Sequence, residues 1–99
     1  MSLLHTVNKS PFTGSTLDNC LSRMSPGSAL LLLEDGVYAA LAPGAHAAKL
    51  AGHAPVYALG PDLAARGLAD KALVEGVQVV DYDGFVDLCT QYSAVQSWF

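Results

Sequence analysis

The hydrophobic positions of this chain form short continuous runs separated by polar breaks. The clearest run covers residues 29–33 and ends at Glu34, Asp35 and Gly36. Five residues are too few for an isolated helix, and an apolar run without polar alternation is typical of a strand buried on both faces. Strands of this kind belong to parallel sheets. In an open parallel sheet the ligand crevice lies beyond the carboxyl ends of the strands, so this polar triplet is expected to lie at a functional edge.

The rest of the chain predicts strands that alternate with helices. Similar apolar runs predict strands at residues 3–7, 55–59 and 77–80. Helices are predicted at residues 16–24, 45–50, 62–66 and 81–92, and breaks at Pro43 and Gly44. Residues 37–41 indicate a short helix or turn, whereas residues 68–76 fit either a loop with a helical turn or an extension of the helix before them. Short connections between alternating elements predict an α/β fold with three layers, in which helices flank both faces of a mostly parallel, flavodoxin-like sheet.

Composition makes this a single domain, residues 1–99, with an incompletely covered surface. Hydrophobic residues account for 52% of the chain and charged residues for only 14%, against about 25% in an average soluble domain. Apolar surface is therefore expected to remain exposed, which favours a subunit that buries it against partners. The alternative is a small monomer with an ordinary Ala/Leu surface.

Charge and targeting patterns exclude several classes of function. The net charge is −4, and the five basic residues are scattered, so a nucleic-acid surface is not expected. The amino terminus lacks the basic flank and long apolar core of a signal peptide, and no apolar run reaches membrane-spanning length. We therefore expect a cytoplasmic protein. Its two cysteines, Cys20 and Cys89, are expected to be free thiols.

No cofactor or metal motif is present. Neither a GxGxxG nor a GxxxxGK[ST] loop follows any predicted strand, and the histidines and cysteines lack zinc-ligand spacing, so no cofactor and no metal are expected. The sequence Gly14-Ser15-Thr16 precedes a predicted helix and could bind an anion through free backbone amides. Side-chain capping of the helix is the more frequent role of such residues.

The two cysteines are the candidate nucleophiles. Cys89 lies on the apolar stripe of the last predicted helix, where a thiol behaves as a small hydrophobic group. Cys20 lies early in the first helix, near its positive end and three residues before Arg23, and both features favour the thiolate. Asp18 opposes them. Cys20 also adjoins the apolar face of that helix, so the pattern alone leaves an inert, packed thiol as the alternative.

The remaining candidates are contact residues. Glu34 and Asp35 could act as an acid and base, but adjacent residues point apart and lack a basic partner nearby in sequence, so contact with a partner or with solvent is favoured. His5, within a strand, is more typical of a hydrogen-bonded core histidine than of a base. Trp98 and Phe99 lie at the chain end, where docking on a partner and docking on the chain itself are both open, and fraying is less favoured.

Several stretches, in order along nearly the whole chain, resemble the DsrH/TusB family of small sulfur-relay subunits. They are Leu4-His-Thr-Val-Asn-Lys-Ser-Pro-Phe12, Leu30-Leu-Leu-Leu-Glu-Asp-Gly-Val-Tyr-Ala-Ala40, Val56-Tyr-Ala-Leu59, Asp62-Leu-Ala-Ala-Arg-Gly67, Asp81-Tyr-Asp-Gly-Phe-Val86 and the terminal Trp98. The combination carries the resemblance, because no single stretch is diagnostic.

The resemblance implies a DsrE/DsrF/DsrH-like fold and a place in a cytoplasmic heterohexamer with DsrE/TusD-like and DsrF/TusC-like partners. Such complexes hand persulfide sulfur to a downstream acceptor protein, either in dissimilatory sulfur oxidation (the DsrEFH type) or towards 2-thiolation of the transfer-RNA wobble uridine (the TusBCD type). DsrH-like chains have a first-helix cysteine with a proposed sulfur-handling role, and Cys20 occupies the matching position. Many TusB-like chains lack that cysteine, so Cys20 alone favours the sulfur-oxidation branch.

Three functions follow as hypotheses. In the first, Cys20 carries persulfide, which requires only an exposed thiolate of low pKa, so that the chain acts as a sulfurtransferase subunit or carrier without independent turnover. In the second, the chain is a structural subunit that shapes a partner's active cysteine while Cys20 is passive. In the third, it is a stand-alone domain that binds a small anion at the first helix.

Overall fold

Five parallel strands form one sheet in the computed structural model, which describes residues 2–42, 44, 46–53 and 55–99. The strands lie in the order β4-β3-β2-β1-β5. Their bounds are Leu3–Val7 (β1), Ala29–Leu32 (β2), Val56–Leu59 (β3), Val77–Val80 (β4) and Ala94–Trp98 (β5). The predicted α/β fold with a parallel sheet is therefore confirmed. The hydrophobic pattern does not predict β5, which pairs with β1 along its whole length.

Four α-helices and a 3-10 helix connect these strands. The α-helices are Thr16–Arg23 (α1), Ala47–Ala51 (α2), Gly60–Ala65 (α3) and Tyr82–Gln91 (α4), and the 3-10 helix covers Glu34–Ala40. Each lies within two or three residues of a predicted helix or turn. The predicted break at Pro43 and the predicted helix start at Ala45 lie outside the described residues. Residues 68–76 form a loop, in which Leu73 makes an isolated antiparallel bridge to Leu41.

The handedness of the connections decides which face each helix covers. From β1 to β4 the strands are added in one direction across the sheet, so right-handed crossovers place α1, the 3-10 helix, α2 and α3 on the same face. The connection from β4 to β5 runs back across the sheet and places α4 on the opposite face. Two core clusters result. The larger includes Val7, Cys20 and Leu30, and the smaller includes Leu4, Leu31 and Leu88.

The central strand β2 is buried on both faces, as its apolar run predicts. All four of its residues are buried, and successive side chains enter opposite clusters, with Leu30 on the α1 face and Leu31 on the α4 face. Leu31 pairs with Thr6 of β1 and Tyr57 of β3. Because β2 has neighbours on both sides, the polar triplet after it lies near the middle of the sheet's carboxyl edge.

The starts of the two longest helices differ. Asp81 caps α4, because its side-chain Oδ1 accepts a hydrogen bond from the backbone N–H of Gly84 at 2.8 Å, as the sequence predicts. Ser15 precedes α1 but makes no side-chain capping hydrogen bond. The first amides of α1 therefore keep their hydrogen-bonding capacity and the positive end of the helix dipole. Among the described residues, no helix is both long enough and apolar enough to cross a bilayer.

Candidate functional site

At the carboxyl edge of the sheet, Asp62 of α3 and Arg66, the residue after α3, hold the residues that follow β2. Glu34 has a left-handed backbone (φ 49°), and its N–H donates to Asp62 Oδ2 at 2.6 Å. The Arg66 Nε donates to Asp35 Oδ1 at 2.9 Å, and the Arg66 Nη1 donates to the Asp62 carbonyl oxygen. A non-glycine residue in this conformation costs about 1 kcal/mol, so these contacts keep the turn in place against its own strain.

This geometry does not assemble an acid/base pair. The Asp35 carboxylate is engaged with Arg66, while Glu34 is exposed and makes no ion pair within the described part of the chain. Local sequence reveals no basic partner for these acids, because Arg66 follows Asp35 by 31 residues. The predicted parallel sheet could have indicated this contact. The strands β2 and β3 are neighbours, so the residues that follow their carboxyl ends, including Asp35 and Arg66, lie at the same edge of the sheet. The partner-contact role expected for Glu34 and Asp35 stays a prediction.

The terminal aromatic residues have different environments. Trp98 belongs to β5, packs against the larger core cluster, and donates its Nε1–H to His5 Nδ1 at 3.0 Å. His5 is only 2% exposed, and burial lowers its pKa, so it is a hydrogen-bonded core histidine as predicted. Trp98 thus docks on its own chain, which is one of the two arrangements that the sequence left open. Phe99 is 83% exposed, and its expected contact with a partner stays a prediction.

Cys20 lies on the inner side of α1 and is fully buried. Its residue exposure is 0%, and it packs in the larger core cluster with Leu17 and Leu21. Burial raises the pKa of the Cys20 thiol from about 9.0 to about 12. The expectation of a low pKa is therefore wrong: the helix dipole and Arg23 favour the thiolate, but the loss of hydration on burial is the larger effect. A persulfide at Cys20 would require α1 to move away from the sheet.

Cys89 is the more accessible of the two thiols. Both cysteines are free, as predicted, and Cys89 is partly buried where α4 packs on the smaller core cluster. Within the described residues, no group of three or more His, Cys, Asp or Glu side chains is placed to hold a metal ion. A shallow hollow at the carboxyl edge, lined by Gly60, Val80 and Gly84 among others, contains the Asp81 carboxylate that already caps α4.

The burial of Cys20 predicts a large difference in thiol reactivity. In the folded chain at pH 8, a pKa near 12 instead of 9.0 lowers the Cys20 thiolate fraction about 1,000-fold. Iodoacetamide should therefore modify Cys89 first, and Cys20 only when denaturant is added. Mass spectrometry of proteolytic fragments distinguishes the two sites. Modification of Cys20 at the rate of an exposed thiol in native buffer would contradict the buried position.

Comparison with known proteins places this arrangement in a family. The family model described as "DsrH like protein" matches residues 9–95. Protein TusB from Pectobacterium carotovorum subsp. carotovorum (strain PC1) is 39% identical over 97 residues, which cover 97% of this chain and 100% of that protein. Protein TusB from Shigella flexneri is 39% identical over 98 residues, with the same coverage.

Solved structures agree on the fold. The crystal structure of the ychN protein from E. coli superimposes with a TM-score of 0.84, covering 98% of both chains at 18% identity. A protein of unknown function from Methanobacterium thermoautotrophicum, MTH1491, gives a TM-score of 0.65 over 96% of both chains at 15% identity. The structural matches support the fold alone, and the sequence matches cover nearly the whole chain. From these sequence matches, the chain belongs to the DsrH/TusB family of sulfur-relay proteins.

Proposed function

We propose that this chain is a subunit of a cytoplasmic sulfur-relay complex of the TusBCD type, which serves the 2-thiolation of the transfer-RNA wobble uridine. Relatives that carry the name TusB match along their entire length, and this supports the transfer-RNA branch. Cys20 and the description of the matching family model, "DsrH like protein", favour the DsrEFH branch. The proposed partners are TusD-like and TusC-like chains in a heterohexamer, together with a downstream sulfur-acceptor protein.

The chemistry of such a relay makes few demands on each subunit. An acceptor thiolate attacks the outer sulfur of a donor persulfide, a new S–S bond forms on the acceptor, and the donor's S–S bond breaks. The donor leaves as a thiolate, so the step is balanced without an external oxidant or reductant. Each subunit that carries the sulfur therefore needs an accessible, ionisable cysteine, and a subunit that carries none can still shape or position a partner's cysteine.

The burial of Cys20 is the observation that supports a structural role for this chain within the complex. Its exposed fraction is zero and its pKa is raised to about 12, so in this conformation it presents no nucleophile to a donor persulfide. We therefore assign this chain the structural role: it shapes and positions the active cysteine of a partner, while its own thiol fills the space between α1 and the sheet. The alternative is that Cys20 itself carries persulfide, and the Cys20→Ala variant distinguishes this carrier role from the structural role.

The exposed apolar residues support a subunit that is covered by partners. Large hydrophobic side chains are exposed on several elements and loops: Phe12, Val79, Tyr82, Val86, Val95 and Phe99. Only 14% of the chain is charged, so few ionic groups separate these side chains. Burial of apolar surface is the main driving force of association, and such residues are the expected anchors of subunit contacts.

The test is sulfur passage through a reconstituted complex that contains the Cys20→Ala variant. The chain is co-expressed with its TusC-like and TusD-like partners and supplied with a persulfide donor and the acceptor protein, and mass spectrometry follows the gain of one sulfur atom at each cysteine. We expect Cys20→Ala to cost about 1 kcal/mol of stability through the loss of a buried sulfur, and to leave the rate of sulfur arrival at the acceptor unchanged.

Cys89→Ala is the matched control, because it removes the other thiol of the same chain. Loss of transfer in Cys20→Ala within an intact complex, together with an added sulfur on wild-type Cys20, would replace the structural role by the carrier role. Failure of the wild-type chain to co-purify with its partners would contradict membership of the complex itself.

A further inference from the structure

His46, at the start of α2, is a buried imidazole with an unfilled hydrogen-bonding capacity. It is 9% exposed, and neither Nδ1 nor Nε2 has a hydrogen-bond partner among the described residues. A neutral imidazole carries one N–H donor and one acceptor nitrogen. A buried polar group without a partner costs roughly 1–3 kcal/mol. A hydrogen-bond partner that reached the ring would relieve this cost.

Phe12 lies against this imidazole. The two ring centroids are 5.4 Å apart with an interplanar angle of 67°, an edge-on contact. Phe12 is itself 69% exposed, and its backbone N–H is bonded within the same loop, to Ser10 Oγ. Rotation of the Phe12 side chain therefore breaks no hydrogen bond to the body of the protein. The Phe12 ring is thus an exposed neighbour of His46 that can turn away from it without such a loss.

The surroundings of the imidazole favour an anion. The loop at residues 8–15 carries the cation Lys9 and no acidic side chain, and Lys9 makes no ion pair to the described residues. Lys49 follows His46 by three residues and pairs with Asp18 in the first turn of α1 at 2.8 Å. This ion pair neutralises the acid in the first turn of α1 and connects α2, which begins after His46, to the uncapped start of α1, where free amides and the helix dipole attract negative charge.

We propose that His46 is the hydrogen-bond donor for the anionic outer sulfur of a partner's persulfide, and that Phe12 covers it until the partner docks. This inference rests on the proposed function. The imidazole N–H donates to the terminal sulfur and keeps its proton, so no covalent bond of this chain forms or breaks. His46 thus positions a persulfide that belongs to another subunit, and the apolar side chain of Phe12 moves onto that subunit when the site opens.

The first test uses the isolated chain and requires no partner. Diethyl pyrocarbonate should acylate His46 far more slowly than the half-buried His53 in the wild-type chain, and at a comparable rate in Phe12→Ala. Glutathione persulfide is then titrated into Phe12→Ala while the imidazole signals are followed by ¹H–¹⁵N NMR. We expect the His46 signals to shift and those of His53 to stay. Equal acylation of His46 in both chains, or an unshifted His46, would overturn the proposal.

The second test separates function from stability in the reconstituted complex. His46→Leu removes the unpaired polar atoms, so its thermal stability should equal or exceed that of the wild type. Its sulfur passage should fall about 10-fold or more, since a hydrogen bond to a charged group is lost. His46→Gln keeps a donor and should retain most of the rate, and His53→Leu is the matched control.

The outcomes of these tests separate the role of His46 from the proposed role of the chain as a sulfur-relay subunit. Normal sulfur passage by His46→Leu in a working complex overturns the role of His46 and leaves the subunit assignment intact. If the wild-type complex moves no sulfur, the proposed function is wrong, and the titration with glutathione persulfide still decides whether His46 binds the sulfur anion.

Discussion

Substitution of Gly36 by alanine is expected to destabilise the chain by about 3 kcal/mol. A Cβ atom built on Gly36 would overlap the carbonyl oxygen of Val7 and lie 3.0 Å from its carbonyl carbon. That oxygen cannot move freely, because it accepts a hydrogen bond from the N–H of Leu33 at 3.1 Å, where β1 and β2 meet. The contact is between two backbone segments, so no side-chain rotation can relieve it. The carboxyl edge would have to open to accommodate the methyl group.

Urea unfolding measured by circular dichroism checks this expectation. Gly14→Ala is the matched control, since nothing lies within 4 Å of the position that its new methyl group would occupy and its backbone is compatible with alanine. The free energy of unfolding of this control should stay within about 0.5 kcal/mol of the wild-type value. A Gly36→Ala chain that unfolds at the wild-type urea concentration would contradict the close approach of the two segments.

Substitution of Trp98 by alanine is expected to cost about 3 kcal/mol, the lower part of the range for large aromatic truncations, because Trp98 is only partly buried. Two losses add up. The ring leaves the larger core cluster, and the Nδ1 of His5 loses its only donor among the described residues while the Nε2 is already unpartnered. Trp98→Phe keeps most of the packing and removes the N–H, so its stability should lie between those of the wild type and Trp98→Ala. Phe99→Ala, at an exposed neighbour, should change stability little.

The pH dependence of unfolding gives an independent measure of the same contact. Burial lowers the pKa of His5 below its ordinary value of 6.5, so between the folded and unfolded pKa values the unfolded chain binds the extra proton. Stability is therefore complete above about pH 6.5 and falls as the pH drops from there towards the folded pKa. Trp98→Ala admits water to His5 and should flatten this dependence. Unchanged stability and an unchanged pH profile in Trp98→Ala would contradict the interaction.

The local sequence was sufficient for most of the fold. The apolar run at residues 29–33 predicts a doubly buried strand, and all residues of β2 are buried. Asp81 is predicted to cap the last helix and does so through Gly84. These features depend on a few neighbouring residues, which is why a pattern in the chain reveals them. The alternation of strands and short helices in turn restricts the architecture to a parallel sheet with right-handed crossovers.

The strand β5 could not be predicted from local sequence, for a physical reason. Residues Ala94–Trp98 form an edge strand with mostly exposed side chains, so they lack the apolar run that marks the central strands. Their extended structure comes from pairing with β1, more than 90 residues away, as in the register of Val7 with Trp98. The same pairing places the terminal tryptophan beside His5, which is one of the two docking arrangements that the sequence left open.

What the sequence by itself determined is the family, the α/β architecture and the presence of a thiol in the first helix. Only the tertiary structure decided the chemical state of that thiol and the surroundings of the candidate residues. The position of Cys20 in its helix and the nearby Arg23 can be read from the sequence, and both favour a lower pKa of the thiol. Desolvation, which raises that pKa, depends on all the residues packed around the sulfur and is known only from the structure. The contact between Phe12 and His46 and the hydrogen bonds that hold Glu34 and Asp35 likewise depend on residues brought together only by folding.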